Sequence, residues 1–175
     1  MKTLIETERL VLREITLEDK EELFQLHADP KVQKWTGEPV VESLKEMEQA
    51  IRIRLKDFRK YGFGRLAVIL KETNEFLGWA GLAYLPEFDK VDLGYRLKEK
   101  YWGMGIATEA SEAIIDYGFN VLDLDLIIAI ALPENKASIR VMEKVGMIYD
   151  KQAPYDEMIQ EAIWYKLERK VYNKR

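Results

Sequence analysis

Lys100-Tyr101-Trp102-Gly103-Met104-Gly105-Ile106-Ala107-Thr108-Glu109-Ala110 joins an apolar run to a helix through a turn with two glycines. Ahead of it, Val91-Asp92-Leu93-Gly94-Tyr95-Arg96-Leu97 has the length and residue types of a strand. Behind it, Ile106, Ala110, Ile114 and Tyr117 recur on one helical face, and Gly118 weakens the end. Glycine adopts positive φ and lets the backbone approach a ligand closely. The free amides and dipole at a helix N-terminus bind an anion, typically a phosphate. The residues alone leave several readings open. A P-loop would need Gly-Lys-Ser/Thr, which Met104-Gly105-Ile106 does not supply. A dinucleotide loop would need Gly or Ala where Thr108 stands, and Asp123 and Asp125 precede the next strand instead of ending it. A tight connection with no ligand also fits the two glycines.

Outward from the turn, the N-terminal side reads as an antiparallel meander and the C-terminal side as strand–helix–strand–helix. Residues 10–15 predict a first strand. Thr16 opens a helix, with Asp19 in the capping-box position, and Asp29-Pro30 ends it. Ser43-Leu44-Lys45-Glu46 is a full capping box, followed by Leu44, Met47, Ile51, Leu55 and Phe58 at helical spacing and closed by Tyr61-Gly62. Residues 65–70, 76–85 and 91–97 read as strands with short spacers, as antiparallel neighbours have. Residues 126–132 form a continuous apolar strand, expected where both sheet faces are covered. Asn135 opens a helix through Val145, with Gly146 placed for a left-handed cap. Residues 147–151 and 162–167 are the last strands. The order gives an α+β class with a mixed sheet.

The bulk composition narrows the function. At 175 residues the chain reads as a single domain over 1–175. Net charge is −4 and the charges are interspersed, which disfavours nucleic acid as a partner. There is no cysteine, so disulfides, thiolate metal sites and cysteine nucleophiles are excluded. No metal site is expected. The first nine residues lack an apolar signal core, and the longest aliphatic run is seven residues against the ~20 a membrane span needs. A cytoplasmic protein with no membrane association is the expectation.

The segment 91–110 resembles the pyrophosphate-binding motif of the GNAT superfamily of acetyltransferases, Gln/Arg-x-x-Gly-x-Gly/Ala, with Lys100 departing from Gln/Arg at its first place. The stretch 133–147 looks like the superfamily's second cofactor helix. Thr7-Glu8-Arg9-Leu10-Val11-Leu12-Arg13 looks like the opening of the RimJ/RimL type, which acetylates N-termini of ribosomal proteins. The resemblance covers nearly the whole chain in the expected order. It implies a GNAT-like, largely antiparallel sheet of about six to seven strands with about four flanking helices. Splayed central strands would form a CoA cleft. It also implies an N-acetyltransferase that moves acetyl from acetyl-CoA to a primary amine, either a peptide N-terminus or a small molecule. A non-catalytic acyl-CoA-binding or regulatory module on the same fold is the alternative. The superfamily admits a homodimer, and no surface pattern in the sequence establishes one.

What the resemblance implies for the site follows residue by residue. Backbone groups of Tyr95, Arg96 and Leu97 would serve the oxyanion and the pantetheine arm. Amides of Gly103, Met104, Gly105, Ile106, Ala107 and Thr108 would hold the pyrophosphate. Asn135 is a good N-cap that also contacts the pantetheine arm, Ser138 protonates the leaving thiolate, and Arg140 reaches the nucleotide. The stretch 140–142 has no tyrosine, which leaves Ser138 as the candidate acid. Asp92 is the candidate base. Alternation puts it on one strand face with Gly94 and Arg96, and an ion-paired acid or a water chain are its rivals. His27, the single histidine, falls on the apolar stripe of its helix, which favours a core or rim position. Trp35, Trp79 and Tyr84 could line an acceptor pocket, although strand aromatics are usually core. Residues 35–39, 86–90 and 152–159 are the segments expected to meet the acceptor.

Overall fold

The computed structural model describes residues 3–174. Eight strands form one sheet in the order β1-β2-β3-β4-β5-β6-β8-β7. The strands are β1 (Thr3–Glu6), β2 (Leu10–Glu14), β3 (Arg65–Leu70), β4 (Glu75–Leu85), β5 (Lys90–Leu97), β6 (Leu126–Ala131), β7 (Ile148–Ala153) and β8 (Ala162–Glu168). The helices are α1 (Lys20–Ala28), α2 (Pro30–Gln33), α3 (Leu44–Tyr61), α4 (Ile106–Asn120), α5 (Lys136–Lys144) and α6 (Arg169–Tyr172). The expected class is borne out. The strand missing from the sequence reading is β1, a four-residue edge strand whose pattern is too short to read and whose backbone is satisfied by β2. The added helices, α2 and α6, are single turns.

Local chemistry explains the boundaries. Thr16 and Asp19 form the expected capping box, and Asp19 also takes a two-bond grip from Arg13. Asp29, held extended before Pro30, ends α1 and caps α2 through the Lys31 amide. Ser43 accepts from the Glu46 amide to start α3, and Gly62 at φ 80° closes it. Gly146 at φ 74° turns the chain out of α5.

Two apolar layers cover the sheet. On one face, Ile114, Ile115 and Phe119 of α4 pack with Met142 of α5 against Leu10, Leu82, Leu93 and Ile127. On the other, Leu23 and Leu26 of α1 and Met47 and Ile51 of α3 pack against Ala67, Ile69, Phe76 and Trp79. Five strands, β1 to β5, run as a continuous antiparallel meander, and β6, β8 and β7 form a second antiparallel set. The two sets meet between β5 and β6, which run parallel and share one paired position, Asp92 with Ile128. Beyond it the strands diverge, and a cleft lies there.

Candidate active site

The divergence frees backbone groups. The Lys98 amide donates to the Leu77 carbonyl. Alternation along the β4–β5 ladder therefore turns the backbone of Arg96, Gly94 and Asp92 toward β4. It turns the backbone of Leu93, Tyr95 and Leu97 toward the gap. Leu97 already accepts there from the Trp102 indole at 2.8 Å. Of the three β5 residues expected to offer backbone to a cofactor, Tyr95 is the free one, and the Arg96 backbone is committed to the sheet.

Side chains from strands, helices and loops line the cleft. It is walled by Asp92, Tyr95 and Arg96 of β5, Ala129 and Ala131 of β6, Ser111 of α4, Asn135 and Ser138 at the start of α5, and Trp35, Glu38 and Tyr155 from loops. Asn135 caps α5 by accepting from the Ser138 amide at 3.1 Å, which fixes both residues at the rim. Ser138 lies close enough to the Tyr95 hydroxyl to act on its pKa. Burial raises that pKa and the nearby Ser138 opposes the rise. The Ser111 hydroxyl is fully buried and has no protein partner. An orphaned polar atom on a cleft wall is the kind that a ligand amide satisfies.

The glycine turn lies beyond the lined cavity, at the N-terminus of α4. Gly103 and Gly105 sit at φ 76° and 78°, the left-handed region expected of a cradle. Gly105 occupies the N-cap with no side-chain cap, so the first-turn amides of α4 keep their donors outward. A Cβ on Gly103 would meet nothing within 4 Å, and one on Gly105 only Arg9, at 3.4 Å. The open space lies where an anion would approach. Arg9, not singled out from the sequence as a site residue, is locked beside this turn. Its Nη1 donates to the Met104 carbonyl at 3.0 Å, and its Nε pairs with Glu109 at 2.6 Å. Thr7 also donates to Glu109, at 2.5 Å. The Glu109 pKa is lowered although burial pushes it upward, because Thr7 and Arg9 together outweigh that burial. The one acid in the first turn of α4 is thus neutralised beside the cradle.

On the opposite side of the cleft is a buried charge cluster that periodicity could not reveal. Arg65, Gly81 and Gly94 lie side by side across β3, β4 and β5. The Arg65 guanidinium lies flat over Gly94: a Cβ there would come within 2.9 Å of both Nη atoms. It reaches the Gly81 carbonyl at 2.5 Å and Asp92 Oδ2 at 2.5 Å. Asp92 is therefore both a cleft residue and an ion-paired acid. Its Oδ1 has no hydrogen bond among the described residues. Arg96 sits opposite Trp79 in the ladder, with Nη1 2.7 Å from His27 Nδ1 and Nη2 3.0 Å from Glu38. Trp79 donates to His27 Nε2 at 3.1 Å. Burial, then Arg96 and Arg54, hold the His27 pKa down at about 2, so the ring stays neutral and is no base near pH 7.

The other expectations divide. Trp35 and Trp79 line the cleft, whereas Tyr84 donates to Asp89 and packs on Tyr61 away from it. Residues 35–38 and 155–159 contribute to the wall, but none of 86–90 does. Phe88 of that loop instead packs edge-on against Trp164 and beside Tyr155. Arg140 is exposed on α5, outside the cleft wall. Lys100 is paired with Glu75. No group of metal-binding side chains occurs among the described residues, and no described helix is long and apolar enough to cross a membrane.

Comparison with known proteins adds to this geometry. The family model for the acetyltransferase (GNAT) domain matches residues 9–148. A Bacillus licheniformis protein described as an uncharacterized N-acetyltransferase, p20, is 33% identical over 170 residues, spanning 93% of this chain and 95% of that one. The crystal structure of an acetyltransferase from Agrobacterium tumefaciens str. C58 superposes with a TM-score of 0.82 at 30% identity, covering 96% of this chain and 95% of that one. In fold alone, the spermidine N-acetyltransferase from Vibrio cholerae in complex with CoA and spermine also superposes, with a TM-score of 0.80 at 17% identity and 95% and 99% coverage.

Proposed function

The chain belongs to the GNAT acetyltransferase family, and on that premise we propose that it transfers acetyl from acetyl-CoA to a primary amine by direct attack. One observation carries the reading. The gap between β5 and β6 opens between an uncapped, glycine-led helix N-terminus and the Asn135–Ser138 rim. A long ligand with a phosphate at one end and a reacting group at the other fits that arrangement. Acetyl-CoA would supply the acetyl group, with CoA leaving as the free thiol.

The chain's residues divide the work. Amides of residues 103–108 hold the pyrophosphate, with Arg9 adding charge beside them. Ser111 and Asn135 satisfy polar groups of the arm. The free Tyr95 amide donates to the developing oxyanion, which is worth most where the donor is fixed in advance. Ser138 protonates the departing sulfur from the rim of the cleft. Asp92 Oδ1 receives the amine proton while Oδ2 stays on Arg65. The opening Thr7 to Arg13 supports placing the protein with the RimJ/RimL type, a subgroup that also includes enzymes acting on amino acids and other small amines, and its Thr7–Arg9 segment is the latch on α4.

Incubation with acetyl-CoA and a broad amine panel, followed by free-thiol detection, tests this reading. We expect thiol release that depends on the amine. A protein that neither binds acetyl-CoA at millimolar concentration nor releases thiol with any amine would refute it.

A further inference from the structure

The acceptor side of the cleft is built around Trp79, and three guanidinium groups crowd its ring. The Cζ atoms of Arg54, Arg65 and Arg96 lie 5.6, 5.1 and 5.3 Å from the ring centroid. They come from α3, β3 and β5, so the fold brings together what the sequence scatters. Two carboxylates answer them, Asp92 on Arg65 and Glu38 on Arg96. Three cations against two anions leave one positive charge in excess. An uncompensated charge in such a place is costly.

The excess can be traced to atoms. Arg54 Nη1 and Arg96 Nε are buried without any hydrogen-bond partner. His27 does not make up the deficit. A neutral imidazole accepts at one nitrogen only, yet donors approach both of its nitrogens, from Trp79 and from Arg96. The Nε–Nη2 edge of a guanidinium can hold a carboxylate by two parallel bonds. On Arg96 that edge is half used: Nη2 donates to Glu38 and Nε to nothing. The Arg96 side chain is 6% exposed, whereas that of Glu38 is 61% exposed and comes from a segment without regular structure. Glu38 can therefore leave its partner readily, and Arg96 cannot.

We propose that the acceptor amine carries an anionic group, a carboxylate in the first instance, which takes the place of Glu38 on the Nε–Nη2 edge of Arg96. This rests on the acetyl-transfer reading and names its substrate class: small amino-carboxylates, not polyamines. A polyamine would bring further positive charge against Arg96, Arg65 and Arg54, where like charges repel. A peptide N-terminus lacks the anion, because its α-carboxyl group is an amide. Phosphate would fit the same edge and is separated from carboxylate by experiment.

The test compares amino acids with their decarboxylated counterparts as acceptors: phenylalanine with phenethylamine, serine with ethanolamine, and lysine with cadaverine. Phosphoethanolamine, spermidine and a tetrapeptide amide complete the panel. Thiol release gives kcat/KM, and thermal shift in the presence of CoA gives binding. We expect at least a tenfold preference for a carboxylate-bearing member over its counterpart. A phosphoethanolamine signal above all carboxylates would assign the seat to phosphate and overturn the carboxylate choice. Arg96→Gln should bring the preference close to one with acetyl-CoA affinity unchanged, Arg96→Lys should keep part of it, and Glu38→Gln should lower KM for the anionic acceptor. Equal or faster turnover of phenethylamine, cadaverine, spermidine or the peptide overturns the inference and leaves acetyl transfer standing. Binding of amino-carboxylates without any turnover supports the seat and overturns the transfer reading. Absence of both binding and turnover with every anionic amine overturns the inference.

Discussion

Gly105→Ala isolates the phosphate cradle from the strain of its backbone, because the fold contains a matched control. Gly105 has φ 78° and Gly62, closing α3, has φ 80°. An added methyl meets nothing within 4 Å at Gly62, and only the flexible end of Arg9, at 3.4 Å, at Gly105. Alanine at either site costs the ~1–2 kcal/mol of a left-handed L-residue. For a chain of this size that is a fall in Tm of about 2–8 °C. The two variants should therefore lose similar stability. Only Gly105→Ala puts a methyl group where phosphate must meet the α4 amides. Losing one charge-assisted hydrogen bond costs ~1.5–3 kcal/mol, which weakens acetyl-CoA binding roughly 10- to 160-fold. Calorimetric titration measures the affinity and thermal denaturation of the free proteins measures the strain. If both variants show the expected Tm loss and both bind acetyl-CoA as the wild type does, the cradle is not at this turn.

Ser138→Ala should lower kcat by about 100-fold, the lower range for a lost general acid, with little change in acetyl-CoA affinity; an unchanged kcat removes Ser138 from the mechanism. Asp92→Asn strands the Arg65 guanidinium and should cost ~3 kcal/mol in urea denaturation. Adding Arg65→Gln should recover part of that stability but no activity if Asp92 takes the amine proton, and recovered turnover would make the acid purely structural. His27 titrates at about 2 in the native protein, below its ordinary 6.5. Between these values the unfolded chain takes up a proton that the native protein refuses, so stability falls as pH drops below 6.5. The loss is about 2 kcal/mol by pH 5. His27→Gln should show a shallower pH dependence of unfolding free energy than the wild type, and identical slopes would mean His27 is protonated when folded.

Features carried by local chemistry were legible in the sequence. Ser43 with Gly62, Asn135 with Gly146, and the Gly103–Gly105 turn each state their backbone geometry in residue type alone. The split sheet was available only through resemblance, since no residue between 91 and 132 announces where two strands diverge. The arginine cluster was not legible at all. Arg54 sits in a helix whose other charges, such as Arg52 and Arg59, are exposed, so its spacing reads as one more solvated residue. Arg65 lies flat only because Gly81 and Gly94 arrive beside it from two other strands, which is a property of register. Tyr95 was read for its backbone, and its place on the cleft wall with Ser138 requires β5 and α5 to face the same gap.

The single paired position between β5 and β6 also has a mechanical meaning. A sheet normally transmits load along a row of bonds, but here that row is interrupted between two well-bonded plates. The plates are tied by α4 and α5 and, in the working enzyme, by the substrate lying in the seam. Binding would then act as a removable rivet. Amide hydrogen exchange in β5 and β6, which flank the seam, should slow on addition of CoA more than exchange in β2 and β3, whose neighbours already hold them on both sides.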